Sequence, residues 1–395
     1  MLSRAAALPL ASVLVLTLGG CAASLPQVPE GPSAVGDARA VIVLSPTFAK
    51  LVDTPVSGQV VFVGDDGSLA SIETDGIDGG LVTELDGSVY FTDQNNDYVF
   101  DGSLTTVPRE TREYSQEMLV ATDDGYVSVF NSNYSEDGSY YQYDVSAGSG
   151  GKPLEKRFHH YFELLGECDG DVYGAAVPEG YPDVDSAPRS LVKVYPSKVS
   201  DDPVGMWTPS SASIQEGLGI PCVDRELYFI STESSGDPES EKGRDFAGFR
   251  LRAWNVDTGA LRSIALRGAT GHALAERNWE YPFLTRSSWH VDDGIFYWID
   301  GNGILLATDL ETGLTSVIAA LTLQNPQSAS NRVEFDGDVV RVLDLYPSSG
   351  EEGSISTYRL SDGELLDSFA VTGLSRLAQS TNLIVTDFVV LPSSD

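Results

Sequence analysis

Basic residues are scarce in this chain of 395 residues: 24 Lys and Arg stand against 58 Asp and Glu, a formal net charge of −34. Binding a nucleic-acid backbone depends on Lys and Arg displacing condensed counterions, so a field of this sign excludes nucleic acid as a partner class. Histidine is scarcer still. His159, His160, His272 and His290 are the whole set, and none stands in the His-Glu-x-x-His spacing that zinc catalysis uses. There is no Gly-x-Ser-x-Gly elbow and no phosphate-cradling Gly-Lys-Ser or Gly-Lys-Thr loop, which removes the common hydrolase and nucleotide-binding chemistries and implies no cofactor. Carboxylates are so abundant that no pair of them marks a glycosidase site. Beyond the first twenty residues no segment approaches 18 consecutive apolar residues, so none reads as a membrane-spanning helix.

The first twenty residues are of another kind. Arg4 precedes an apolar run from Ala5 to Leu18 interrupted only by Pro9, Ser12 and Thr17. That run is too short for a bilayer span and reads as an export signal, residues 1–20. It ends in Leu18, Gly19, Gly20, Cys21, which resembles the lipobox of bacterial lipoproteins: an aliphatic residue, two small residues, then a cysteine. The resemblance implies that Cys21 carries a diacylglyceryl group and becomes the mature N-terminus. Two acyl chains suffice for stable anchoring. The other reading is an ordinary secreted protein with Cys21 incidental. Residues 22–37, rich in Ala, Ser, Pro and Gly, can bury little and read as a flexible tether, so the expected organisation is signal 1–20, lipidated cysteine and tether 21–37, and a folded domain 38–395 held at the membrane on its extracytoplasmic face.

Two cysteines remain, Cys168 and Cys222. An even pair in an exported chain favours a disulfide. It would close a loop of about 55 residues and contribute up to roughly 4 kcal/mol by chain entropy; two separate buried thiols are the alternative.

Stripes of period 3.6 are missing from the rest, while alternation and turn signals recur. One pattern returns along the chain: an Asp-Gly turn followed by a β-branched and aromatic run. It appears at Asp86-Gly87, Asp169-Gly170, Asp293-Gly294 and Asp336-Gly337, more loosely at Ser57-Gly58 and Asp224-Arg225, and without the turn at Met118 and Leu383. A second set of turns lies at Asp65-Asp66-Gly67, Asp123-Asp124-Gly125 and Asp300-Gly301-Asn302-Gly303. Such turns accept positive φ and are strong hairpin signals. A third pattern, Asn255 to Ala260, Asp309 to Leu314 and Leu360 to Glu364, places a tight turn between third and fourth strands. The units are therefore four-stranded meanders, and such units stack radially into an all-β propeller that leaves only short edges. Eight strand starts predict eight blades, with seven the other count because the first two units are short. The segment Ala40 to Leu44 is expected to close the ring as the outer strand of the last unit. Two stacked sandwiches are the competing architecture.

Asp, two variable residues, Thr and Gly after an apolar strand resembles the repeat of quinoprotein-like bacterial propellers, some of which are lipid-anchored scaffolds of envelope assemblies. Their enzymatic members carry adjacent cysteines and tryptophan-marked blades; this chain has neither, so no quinone cofactor is implied.

Two segments are candidates for recognition. Asp93, Asn95, Asp97 and Asp101 alternate as calcium ligands do, but Tyr98 stands where the loop needs Gly and Leu104 where it needs Glu, so a plain exposed turn is the favoured reading and no metal is expected. The stretch from Arg244 to Arg286 holds seven arginines against four acids, and four of the five tryptophans lie between Trp254 and Trp298. Within it a long connection from Gly268 to Trp289 carries His272, Arg277, Trp279, Tyr281, Arg286 and Trp289. Trp and Arg dominate the energetic centres of interfaces, and long loops in compact domains are often functional. The alternative is that Trp254 and Trp298 are core and the arginines pair with nearby acids. The expected function is a non-catalytic binding or scaffold protein for a protein or envelope ligand, the other class being a hydrolase or dehydrogenase with a site in the central channel.

Overall fold

The computed structural model describes residues 28–31, 38–53, 56–122, 125–134, 141–148, 154–177, 187–196, 203–208, 212–214, 217–235, 245–270, 284–285 and 287–392. Their strands form seven sheets of four principal antiparallel strands, one of them extended by a short parallel strand, arranged around one hub. The innermost strands are Ile384–Val390 in blade 1, Val82–Leu85 in blade 2, Ser115–Thr122 in blade 3, Tyr161–Cys168 in blade 4, where Gly217–Ile220 adds alongside it, Ala212–Ile214 and Cys222–Val223 in blade 5, Trp289–Asp292 in blade 6 and Arg332–Asp336 in blade 7.

The count is seven and not eight because two of the eight starts lie in one sheet. Gly58–Gly64, which contains Val60, and Ile384–Val390, which follows Leu383, both flank Ala38–Ser45 in blade 1. Met118 and Leu383 stand at innermost strands, whereas the other starts stand on the second or third strand. Blade 1 is thus closed by both termini. Ala38–Ser45 is its second strand and not the outer one, with Val41 opposite Val389 on one side and Phe62 on the other. Ala40, Ile42 and Leu44 are fully buried on one face and Val41 on the other, as a strand packed between two neighbouring blades requires.

Each Asp-Gly turn joins an innermost strand to the second strand. Asp86, Asp169 and Asp293 have φ of 51°, 53° and 42°, and the glycines after them are also left-handed, so both central residues meet the demand of a type I′ hairpin. The second set of turns is not equivalent: Asp65–Gly67 joins third to fourth strand, Asp300–Gly303 second to third, and Asp123–Asp124 lie outside the described residues. The third pattern joins third to fourth strand as its sequence implies. Asn255 Oδ1 accepts from the N–H groups of Asp257 and Thr258, and Asp309 Oδ1 accepts from Glu311 and Thr312. Its glycine does more than turn. A Cβ on Gly313 would lie 2.2 Å from the Ala265 carbonyl oxygen, one on Gly259 2.6 Å from Gly205 Cα, and one on Gly363 2.3 Å from Ala319 Cβ. In each case the contacted residue belongs to the outer strand of the preceding blade, so the repeat's glycine is where blades touch.

One continuous segment, residues 217–223, pairs first with blade 4 and then with blade 5. Gly217–Ile220 runs parallel to Tyr161–Cys168, and Cys222–Val223 then pairs with Glu226–Ser235. A Cβ at Gly166 would come within 2.7 Å of the Ile220 and Leu227 side chains, so glycine is required by that close approach. There Cys168 and Cys222 are joined as a disulfide with Cα atoms 5.3 Å apart. Arg225 reinforces the seam, donating to Asp257 of its own blade and to the Cys168 carbonyl and Asp169 of blade 4. The polar, Pro-, Gly- and acid-rich segments Pro178 to Arg189 and Ser231 to Asp245, which read as solvated loops, have strand at their ends: Arg189 begins Arg189–Tyr195, and Glu226–Ser235 and Asp245–Asn255 extend into the second. Val28 packs against the core cluster shared by blades 7 and 1, and residues 29–31 run along Leu69–Thr74, inside the segment read as tether.

Candidate binding site at the hub

The innermost strands enclose a cavity of about 770 Å³, within the range of small-ligand sites. Four blades contribute polar groups to its wall. Gln116 accepts from the Leu81 N–H at 2.7 Å and donates to Ser128 at 2.8 Å. Thr386 donates to the Gly80 carbonyl at 2.6 Å. Asp387 accepts from the Val82 N–H at 3.0 Å, and Arg332 from blade 7 donates to the Val385 and Thr386 carbonyls of blade 1 and to Ala329 and Asn331. These bonds stitch the C-terminal strand to blade 7 on one side and blade 2 on the other.

Burial in this wall moves protonation equilibria. It pushes Asp387 up to about 6 against the pull of the Val82 and Phe388 N–H groups, and lowers Arg332 to about 10. Glu334, beside Arg341 at 3.3 Å and the Val390 N–H at 3.2 Å, is raised by burial to about 7. Shifted groups near a cavity often mark chemistry. Here each of the three is engaged with backbone or an ion-pair partner across a blade seam, which is how a ring-closing strand is fixed. Sequence reasoning did not select them; the one available signal was charge within otherwise apolar inner strands.

One further element reaches the cavity. Leu284, Thr285 and Ser287 line it, and they belong to the long connection between blades 5 and 6, which runs from residue 266 to residue 288. Of the recognition candidates on that connection, His272, Arg277, Trp279, Tyr281 and Arg286 lie outside the described residues, as does Cys21. Trp289 is described and corrects the expectation for it: it is 3% exposed in the inner strand of blade 6, opposite Trp298, and packs in the core of blades 5 and 6 rather than offering a surface. Trp254 and Trp298 are likewise core, their indole N–H groups donating to the Gly259 carbonyl and Thr308. Arg262 pairs with Glu226 at 2.7 Å, and Arg252 donates to Ser231 and lies over Trp207.

Asp93, Asn95, Asp97 and Asp101 do not converge. Asp93 accepts from the Asn95 and Asn96 N–H groups and from Tyr98. Asp97 is ion-paired with buried Arg109 and accepts from Tyr126 and Ser146 of blade 3 at 2.7 and 2.8 Å, while Asp101 sits in the next turn bonded to Ser103. The oxygens that a calcium ion would need are taken by protein donors. Among the described residues no group of three His, Cys, Asp or Glu is placed to hold a metal, and no helix is long and apolar enough to cross a membrane.

Fold and hub together define a seven-bladed β-propeller closed by its C-terminal strand, with a cavity between the inner strands whose wall mixes apolar side chains with a few polar groups. The chain belongs to the family described as YycP, beta-propeller domain, which matches residues 33–391. It is 23% identical over 273 residues to the uncharacterized protein YycP of Bacillus subtilis (strain 168), a match covering 66% of this chain and 64% of that one. Among solved structures it is similar to BamB from Moraxella catarrhalis (13% identity, 73% of this chain and 75% of that, TM-score 0.40) and to AztD from Citrobacter koseri (12% identity, 89% and 90%, TM-score 0.43).

Proposed function

We propose that this chain is a lipid-anchored, extracytoplasmic propeller that acts as a non-catalytic binding protein, taking a protein or envelope ligand at the hub mouth where the long connection between blades 5 and 6 ends. The observation that carries the reading is the arrival of that connection at the cavity through Leu284, Thr285 and Ser287. Arg277 and Trp279 of the same connection supply the residue types that concentrate binding energy. A binding rather than catalytic role is supported by Asp387, Glu334 and Arg332, whose shifted groups serve the seams. The anchor is supported by Leu18-Gly19-Gly20-Cys21, and export by a disulfide between blades, a bond that persists in oxidising compartments.

Two experiments test it. Cys21→Ala moves the protein from the membrane fraction to the medium or to an uncleaved precursor; unchanged membrane association defeats the anchor. Arg277→Ala with Trp279→Ala weakens capture of the crosslinked partner from intact cells by about tenfold or more without lowering the unfolding midpoint. Equal capture removes this site. The cavity itself favours a second reading, a propeller enzyme or small-molecule site at the channel, in which Asp387→Asn would abolish turnover or binding rather than alter stability.

A further inference from the structure

We infer that the rim of blades 6, 7 and 1 is the side that rests against the lipid bilayer. The inference builds on the anchor at Cys21 proposed above. Two independent observations meet at this arc. The first is where the tether ends. The Ser71 N–H donates to the Pro29 carbonyl and the Gly31 N–H to the Ser71 carbonyl, both at 2.9 Å, so residues 29–31 add to the outer edge of blade 1, and Val28 is seated against the core cluster of blades 7 and 1. Seven peptide steps separate Val28 from Cys21. At no more than 3.6 Å each they span at most about 25 Å. The seam of blades 7 and 1 is therefore held near the acyl chains, while the opposite rim, at blades 3 to 5, is turned away.

The second is where apolar surface lies. Five large apolar side chains are well exposed among the described residues. Four of them, Leu314, Val317, Leu365 and Leu366, stand at the outer strands of blades 6 and 7, and only Met206 stands on the far rim, in blade 4. The charge of the arc fits the same occupant. Asp367 is paired with Arg39, and Asp362 and Glu364 share Arg359, so two arginines offset all but one of the three carboxylates at the outer strand of blade 7 and lessen the repulsion an anionic surface meets there. Leucine and valine side chains on a short edge strand gain by burial in the interfacial zone.

The test uses the full lipidated chain in vesicles of phosphatidylglycerol and phosphatidylethanolamine containing a nitroxide-bearing phospholipid. A fluorophore is attached through Leu366→Cys or, as the matched control, Met206→Cys. The label at position 366 loses most of its emission to the lipid-borne quencher and the label at position 206 keeps it. Equal quenching at both sites in vesicle-bound protein overturns the orientation while leaving the anchor standing; failure of the chain to bind vesicles at all counts against the anchor instead. Self-quenching of the 366 label, with none from lipid, assigns the arc to a second copy and also overturns the inference. Gly31→Pro removes the N–H that bonds Ser71, and Val28→Asp removes the apolar seat. Each is expected to bring quenching at 366 down to the level at 206 with vesicle binding and unfolding midpoint unchanged; persistence of the difference in both variants overturns the role of the seat.

Discussion

Arg225 stands at a position that other blades give to glycine. With φ of 63° it bears the left-handed conformation that costs a non-glycine residue about 1–2 kcal/mol, and it holds the Cys168 carbonyl, Asp169 and Asp257 in return. The two effects separate by substitution. Arg225→Ala loses the contacts and keeps the strain, whereas Arg225→Gly loses the contacts and relieves it, so the glycine variant is expected to be the more stable of the two by about 1 kcal/mol in denaturant unfolding. The repeat's glycines divide in a similar way. Gly337→Ala adds a Cβ that meets nothing and pays only for its φ of 56°, about 1 kcal/mol. Gly313→Ala drives a Cβ into the Ala265 carbonyl as well and adds a further ~1–3 kcal/mol. Equal losses at the two positions would show that the outer turns do not carry the contact between blades. Asp387 and Glu334 predict a pH dependence. Both are held up in the folded state, so the folded chain binds more protons than the unfolded one between about pH 4 and the folded values of about 6 and about 7. Their stabilising contribution is full below that window and is lost as pH rises through it. Asp387→Asn and Glu334→Gln should each flatten the fall by on the order of 1 kcal/mol, since both groups are only partly buried; an unchanged slope would show that they do not titrate in this range.

At the level of strands and turns, the readable part was the short-range chemistry. Asp-Gly pairs between alternating apolar residues identified the hairpins because a type I′ turn makes a local demand on φ that few residues meet. The Asp309-to-Leu314 pattern placed the third and fourth strands for the same reason. What the chain did not disclose was which strands share a sheet when they are far apart in sequence. Val60 and Leu383 carry the same local signal and sit in one blade, and that pairing follows only from closure of the ring. The hub groups were hidden for a related reason: Arg332, Gln116 and Asp387 look like ordinary charged or polar interruptions until three blades are brought together. The disulfide lay between these extremes, since its two cysteines were evident but their approach depends on Gly166 admitting Ile220. Replacing both Cys168 and Cys222 by Ser should lower stability by about 2–4 kcal/mol without altering the sheet content. A loss much smaller than that would mean that the segment 217–223, paired with both blades, and Arg225 hold blades 4 and 5 by themselves.

Over the whole molecule, a strongly acidic chain is wound into a ring whose edges are short or covered, including the outer strand of blade 1 under residues 29–31. Its seams are fixed by buried hydrogen bonds, such as those Asp97 of blade 2 accepts from Tyr126 and Ser146 of blade 3, as well as by packing. Such a ring offers a hub mouth that Leu284, Thr285 and Ser287 of the long connection line, and the account rests on recognition taking place there. A photo-crosslinking residue placed at Ser287, and separately at Asp101 in an outer turn of blade 2, measures this in intact cells. The account predicts a discrete adduct from position 287 that is lost when Arg277 and Trp279 are both alanine, and none from position 101. An adduct from 101 alone, or one from 287 that survives the double substitution, would contradict it.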